Sequence, residues 1–370
     1  MKHFKFLPCL CLVIGLLVIL TGCPKPANTA GTSNSNDGEN PQTQVDIKPQ
    51  GKMYFDYFDT VSYIYSYSAD TEEEFNRNCG EVTALLGEYH KLFDIYYSHS
   101  GVTNLKTIND NAGGDWLTVD KKLVDFLLYA KELYTKTNGE MNVMMGTVLG
   151  LWHDCREEAT KDPSNAHIPT NGELTEAGKH TSIDSLEINV AENKVRISDS
   201  KASIDVGALG KGYATEMAAK HLREMGVDHY VLNIGGNIRI IGKKVNGTGW
   251  NTGIKNPQDP STYASYITIS DTSCVTSGNY ERYFTVNETR YHHIIDKDTL
   301  MPADYFASVT VITPDSGLAD ALSTALFCMS YEDGLAMLEN FSDVEVIWMT
   351  ADGTQYKTDG YDALLTPSKD

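Results

Sequence analysis

At 370 residues, with 41% apolar, 10% aromatic and 22% charged side chains, the chain has ordinary globular composition, which excludes a collagenous, wholly disordered or multi-span membrane protein. Its 30 Lys+Arg against 50 Asp+Glu leave a formal net charge of −20, which repels phosphate backbones and anionic lipid surfaces and argues against nucleic-acid binding. A phosphate-bearing substrate therefore needs a local remedy: a lysine, helix-end amides or a divalent cation.

Residues Met1–Lys5 carry positive charge and Phe6–Leu20 are nearly all apolar. The run has the length of a signal-peptide core and is short against the roughly 20 residues of a spanning helix. It ends Leu20-Thr21-Gly22-Cys23, which resembles the bacterial lipoprotein signal. The expectation is a signal peptide over 1–22, a lipidated Cys23, and an exported protein anchored on the outer face of the cytoplasmic membrane. The competing reading is an uncleaved anchor with an incidental cysteine. Residues 23–51 hold Pro, Asn, Thr, Ser, Gly and Gln with no aromatic side chain until the next segment, too little apolar surface to offset ordering entropy. Read as a flexible tether, they reach on the order of 30 Å. The remainder, 52–370, is read as one catalytic unit. Its four cysteines, Cys79, Cys155, Cys274 and Cys328, are widely spaced and lack a C-x-x-C, so buried free thiols are expected rather than zinc or a disulfide frame.

Phe58–Ser68, rich in aromatic and β-branched residues, predicts an opening strand. Phe75, Cys79, Val82, Leu86, Tyr89 and Phe93 recur at helical spacing, and a second helix is predicted over Asp120–Lys136. Ser185–Asp205 alternates as paired strands around Glu192-Asn193, and a Gly-rich turn leads into a helix ending near Met225. Short strands follow at Tyr230–Ile234, Tyr266–Ser270, Tyr283–Val286, His292–Ile295 and Ser308–Ile312. Helices are predicted over Gly317–Met329 and Glu332–Phe341, with a last strand over Val344–Met349. Hairpin strands with helices between groups predict an α+β fold of mixed, largely antiparallel sheets with packed helices.

Four segments carry candidate chemistry. Asp205-Val206-Gly207-Ala208-Leu209-Gly210-Lys211-Gly212-Tyr213 joins a predicted strand (Ala202–Asp205) to a helix, so its amides and Lys211 suit an anion. It matches neither the Walker A loop nor G-x-G-x-x-G, and a ligand-free turn is the alternative. On the helix Asp320-Ala321-Leu322-Ser323-Thr324, positions 320 and 324 share one face. One carboxylate and one hydroxyl fit Mg²⁺, which keeps waters and takes further oxygens from backbone and phosphates. The alternative is a solvated Asp320 and a Thr324 bonded to its own helix. In Thr276–Tyr283 and Tyr291-His292-His293-Ile294-Ile295-Asp296, adjacent histidines of an extended chain point to opposite sides, so one at most enters a site as an acid or base. Asn233-Ile234-Gly235-Gly236-Asn237 and Trp250–Pro257 offer a turn and an aromatic wall, or only turn and core.

Taken in order, D-V-G-A-L-G-K-G-Y, N-I-G-G-N-I, W-N-T-G-I-K-N-P, T-S-G-N-Y-E-R-Y-F, H-H-I-I-D and S-V-T-V-I…A-D-A-L-S-T-A-L-F closely resemble the ApbE family of FAD:protein FMN transferases. The likeness extends upstream through Phe58-Asp59-Thr60, Leu105-Lys106-Thr107-Ile108-Asn109 and Gly139–Trp152, from about Tyr54 to Trp348. The resemblance implies that Asp205 and Lys211 contact FAD. It makes the Ala208 carbonyl, Asp320 and Thr324 ligands of Mg²⁺, and His293 the acid–base residue. It also implies that Ile294 lies at a flavin contact and that Glu140, Met141 and Asn142 line the adenosine side. Two departures stand out. Met141-Asn142-Val143-Met144 carries an amide where many members have a carboxylate, and the tyrosine common before Leu105 matches ambiguously among Tyr96, Tyr97 and His99.

The implied reaction is Mg²⁺-dependent transfer of FMN from FAD to a threonine or serine hydroxyl of an exported electron-transfer protein, with release of AMP. Two rivals use the same residues: an Mg²⁺-dependent FAD pyrophosphatase yielding FMN and AMP, and a lipoprotein that binds flavin without chemistry. The presence of His293, Lys211, Asp320 and Thr324 together argues against mere binding.

Overall fold

The computed structural model describes residues 47–367. The expected signal peptide, Cys23 and most of the expected tether lie outside the described residues. Strand β1 (Gln50–Tyr57) and strand β2 (Thr60–Ser66) form a hairpin closed by Phe58 and Asp59, at φ 54° and 50°. Two successive left-handed residues make the tight turn whose twist matches a hairpin. The single strand expected over Phe58–Ser68 is thus a turn followed by a strand. The strand before it begins at Gln50, two residues inside the segment read as tether. β1 escaped notice because Met53 and Phe55 are 50% and 66% exposed, so its alternation carries no burial pattern.

Helix α1 (Glu72–Phe93) starts at a Thr71–Glu74 capping box with three glutamates in its first turn, both favourable at a helix N-terminus, and buries the expected stripe. Helix α2 (Leu105–Asp110), the short strand β3 (Leu117–Thr118) and helix α3 (Lys121–Lys136, capped by Asp120) follow. Then come α4 (Gly146–Lys161) and α5 (Asn171–Gly178), neither of which the sequence announced. Gly146 opens α4 with no side-chain cap, against the Ser203 backbone, where any Cβ would collide. Strands β4 (Leu186–Asn189) and β5 (Lys194–Ile197) form the expected hairpin, but Ala202–Asp205 is not a strand. It is extended chain tied by one bridge, Ser203 to Met145.

Helix α6 (Gly210–Glu224) precedes β6 (Tyr230–Ile234), β7 (Asn237–Ile241), β8 (Trp250–Asn256), β9 (Asp259–Ile269), β10 (Ser273–Gly278), β11 (Tyr283–Val286) and β12 (Thr289–His292). The strand expected at Tyr266–Ser270 is the end of the longer β9, whose first half is exposed. The strand expected at His292–Ile295 instead ends at His292, because the β11–β12 hairpin turns at Asn287 and Glu288 and pairs His292 with Tyr283. The chain closes with β13 (Ser308–Thr313), α7 (Ser316–Phe327), α8 (Tyr331–Leu338), β14 (Glu345–Met349) and β15 (Gln355–Lys357).

The main sheet has eight strands in the order β1-β2-β6-β7-β10-β13-β14-β15, with every neighbouring pair antiparallel. Both faces are covered, so its central strands are buried throughout rather than alternating. On one face, Leu232, Ile234 and Ile241 meet the core of α1, α3 and α6, and Val309 and Val311 meet α7 and α8. On the other, Val231, Ile240, Cys274 and Ile312 pack under Trp250, Ile254 and Ile267 of the β8–β9 hairpin. Trp250 is therefore core, not a ligand wall. The α+β arrangement stands, and all four cysteines of the body are free and buried.

Candidate active site

The site forms where α6 and α7 begin side by side on the sheet. The extended chain leading to α6 is held by Asn109, whose amide bonds the Ile204 backbone in both directions, at 2.8 and 2.9 Å. Tyr213, one turn into α6, lies among Tyr89, Phe93, Phe126 and Tyr129, which anchors the helix start in the core. Glu216 draws α7 alongside: it accepts from the Ser316 amide at 2.9 Å and from Arg239 of β7 at 2.9 Å, with Arg239 and Glu216 both buried.

Gly212 faces α7 so closely that a Cβ would overlap the Ser316 carbonyl and the Asp320 side chain. Its amide donates to Asp320 Oδ2 at 2.8 Å. That amide lies in the first turn of α6, where helix amides have no intrahelical acceptor, and Asp320 supplies one. The Ala208 carbonyl accepts no hydrogen bond from the described residues, and neither does Asp320 Oδ1. Lys211 Nζ sits 3.9 Å from Asp320 Oδ2 and 3.1 Å from the Gly207 carbonyl. Thr324 Oγ1 lies one turn beyond Asp320, 3.2 Å from Ser277 Oγ, which also meets Ser323 Oγ at 2.9 Å. The expected bonding of Thr324 to its own helix does not occur.

Asp205 Oδ1 accepts from the Gly207 amide at 2.8 Å. Burial pushes the carboxyls of Asp205 and Asp320 up, against the pull of the Gly207 amide, His153 and Lys211 on the first and of Lys211 and the Gly212 amide on the second. A cation among them restores the charged form. No cluster of three or more His, Cys, Asp or Glu suited to a metal occurs among the described residues. A free carbonyl, a single carboxylate and a hydroxyl are hard, sparse oxygen donors of the kind that suits Mg²⁺, Ca²⁺ or Mn²⁺ rather than softer transition metals.

The two histidines divide as expected. His292 is buried, and its Nε2 faces the Ala303 carbonyl at 2.8 Å while the Ile294 amide donates to its Nδ1 at 3.3 Å, so both ring nitrogens are occupied. His293 turns the other way. Its Nδ1 lies 3.1 Å from the Arg282 carbonyl, and a carbonyl only accepts, so Nδ1 carries the proton and Nε2 is left with a free lone pair. Burial, then the charges of Arg282 and, further down, Arg156, push the His293 pKa down to about 3, so the ring is neutral.

The segment expected on the adenosine side runs alongside the chain entering the Gly-rich turn, where the Asp205 amide donates to the Val143 carbonyl at 2.8 Å. Asn142 lines a polar cleft of about 370 Å³ with Tyr134, Thr181 and Lys297. Its Oδ1 accepts from the Met144 amide at 2.9 Å and its Nδ2 donates to the Thr181 carbonyl at 2.9 Å; the second bond explains the amide, since a carboxylate has no proton to give. Glu140 pairs with Lys297 at 3.1 Å. Met141 and Ile294 are 4% and 5% exposed, and their side chains pack in the core. Of the three ambiguous positions, Tyr96 has its hydroxyl 3.4 Å from His153 and its pKa raised chiefly by burial and then by Asp205. Three residues near the base escaped the sequence reading: His153 and Arg156, one turn apart on α4, and the Arg282 side chain.

The family model described as ApbE family matches residues 57–348. The chain belongs to the ApbE family. Proteins named FAD:protein FMN transferase are similar to it along most of its length. The one from Vibrio cholerae is 28% identical, covering 95% of this chain and 97% of its own. That from Klebsiella pneumoniae is 30% identical over 73% of this chain and 81% of its own. The solved ApbE protein of Thermotoga maritima superposes with a TM-score of 0.76 at 27% identity, over 86% of this chain and all of that one. The flavin transferase ApbE of Vibrio cholerae, at TM-score 0.72 and 24% identity, shares the fold.

Proposed function

We propose that this ApbE protein is an FAD:protein FMN transferase that moves FMN from FAD to a threonine or serine hydroxyl of a partner protein and releases AMP. Membership of the family supports the activity. The observation that carries the chemistry is the tautomer of His293, a neutral ring with Nε2 free. The acceptor hydroxyl gives its proton to Nε2 as its oxygen forms a bond to the riboflavin-side phosphorus. The bond from that phosphorus to the bridging oxygen breaks, and AMP leaves with the bonding electrons. A hydroxyl is a weak nucleophile, and such a base contributes on the order of 10²–10⁴-fold. The Arg282 carbonyl fixes the ring, and Lys211 with the Gly-rich turn offsets pyrophosphate charge that an acidic protein would otherwise repel.

We assign Ala208, Asp320 and Thr324 to an Mg²⁺ ion, which would neutralise the phosphates and template the displacement. The free Ala208 carbonyl and Asp320 Oδ1 support that assignment. Asp205 and Lys211 are assigned to FAD, and the cleft beside Glu140 and Asn142 to the adenosine side. Cys23 is assigned as the lipidated residue that tethers the body near exported electron-transfer partners. Among the described residues no helix is long and apolar enough to cross a membrane. The test is mass spectrometry of a candidate acceptor incubated with FAD, Mg²⁺ and this protein. A covalent FMN adduct with stoichiometric AMP supports transfer. Free FMN and AMP without adduct indicate the pyrophosphatase, and intact FAD indicates mere binding.

A further inference from the structure

Two arginines from separate parts of the fold meet beside the base with no carboxylate closely paired to either. Arg156, on α4, is 21% exposed; its Nη2 lies 2.9 Å from His153 Nδ1, and its nearest acidic group, Glu157, is 3.9 Å away. A guanidinium only donates, so His153 Nδ1 accepts, and that bond aims the Arg156 fork. Arg282 lies in the loop between β10 and β11, where its own carbonyl holds the His293 ring. Among the described residues no carboxylate lies within ion-pair distance of the Arg282 side chain. Trp152, one turn before Arg156, packs its ring 6.4 Å from that of Phe284, two residues after Arg282, which brings the two cations to one region, and after burial Arg282 is the main reason the Arg156 pKa is lowered. The charges of Asp205 and of both arginines are all felt at Tyr96. A chain with a formal charge of −20 has carboxylates to spare, yet sets none against Arg282. A second cation brought toward the partly desolvated Arg156 is costly unless an anion completes the pair.

We propose that Arg156 and Arg282 form a clamp on the riboflavin-side phosphoryl group of FAD, gripping its non-bridging oxygens and presenting the phosphorus to an acceptor hydroxyl held at His293. Planar guanidinium forks match phosphoryl oxygens in pairs, and they stabilise the charge that spreads over those oxygens during displacement. The proposal rests on the transferase reading and adds residues to it.

The test compares Arg156→Ala, Arg282→Ala and the two lysine variants with the wild-type protein. FAD and riboflavin binding are measured by flavin fluorescence, and transfer to a purified acceptor by mass spectrometry. Each alanine variant should weaken FAD binding about ten- to a hundredfold while riboflavin, which lacks phosphates, binds unchanged. The transfer rate at saturating FAD should fall about a hundredfold or more, with lysine restoring only part. Unchanged FAD affinity and saturated rate with a raised KM for the acceptor would mean that the arginines read an acceptor carboxylate, which overturns the clamp. Equal losses for FAD and riboflavin would mean general distortion and overturn it too. If Arg156→Ala does not fold, Arg282→Ala, an exposed position, decides alone. FAD affinity is read without acceptor or turnover. A wild-type protein that forms no FMN adduct would therefore sink the transferase reading while the clamp is still scored.

Discussion

His292 and His293 are neighbours with opposite fates, and the difference is geometric. His292 has both nitrogens spent on Ala303 and Ile294, whereas His293 has one spent on Arg282 and one free. We expect His293→Ala to lower acceptor flavinylation about 10²-fold or more with FAD still bound, and His292→Ala to leave the chemical rate within a fewfold while lowering thermal stability. Equal rate losses would remove His293 from the mechanism. The depressed His293 pKa has a sign that can be checked. With its folded value near 3 against 6.5 unfolded, the unfolded chain binds the extra proton, so stability is present above pH 6.5 and declines as pH falls toward 3. For activity, at saturating Mg²⁺, the acid limb of kcat/KM should lie well below pH 6.5. The limb of kcat should lie higher, because bound pyrophosphate favours the protonated ring. A His293-dependent acid limb of kcat/KM above pH 6.5 would contradict this environment. Asp320 is the one charged residue in α7, and Asp320→Ala should weaken Mg²⁺ binding and collapse transfer while FAD affinity in EDTA barely changes. Wild-type turnover of that variant at low Mg²⁺ would refute the assignment.

At the scale of elements, the site depends on two helix starts held at a fixed separation. Gly212 sets the closest approach, so Gly212→Ala should push α6 from α7, costing about 1–3 kcal/mol and weakening Mg²⁺ binding through the displaced Ala208 carbonyl and Asp320. Unchanged denaturation midpoint and metal affinity would show that the helices have slack. The buried Arg239–Glu216 pair ties α6, α7 and β7 together at 2.9 Å. Arg239→Met leaves Glu216 without its main counter-charge, and urea unfolding should show a loss of about 3–5 kcal/mol. A neutral result would mean that Lys220, 3.8 Å from Glu216, suffices.

For the whole molecule, every residue proposed to contact FAD, the metal or the acceptor hydroxyl lies within the folded body, from Glu140 to Thr324. A soluble fragment of residues 47–370 should therefore transfer FMN to a free acceptor at the full-length rate. Cys23→Ser should abolish lipidation and lower flavinylation of a membrane-anchored acceptor in cells, because tethering raises the local concentration of two partners on one surface. An inactive fragment would place part of the tether in the catalytic unit.

The elements differ in how far the chain alone specified them. The stripe of α1, the hairpin β4–β5 and helix α7 follow from local periodicity and turn residues, and so were legible. Helix α4 was not: Gly146 and Gly150 break its pattern and Met145 supplies no cap, so its start is set by contact with Ser203. Residue types and spacing made Asp320, Thr324 and Lys211 candidates and allowed one histidine at most into a site, because i, i+4 spacing and strand alternation are local rules; the family resemblance singled out His293. Three features needed the assembled fold: the Gly212–Asp320 hydrogen bond, the His293 tautomer and the meeting of Arg156 with Arg282. Each depends on hydrogen bonds or charges contributed by distant segments of the chain, and such long-range pairings leave no periodic trace in a sequence.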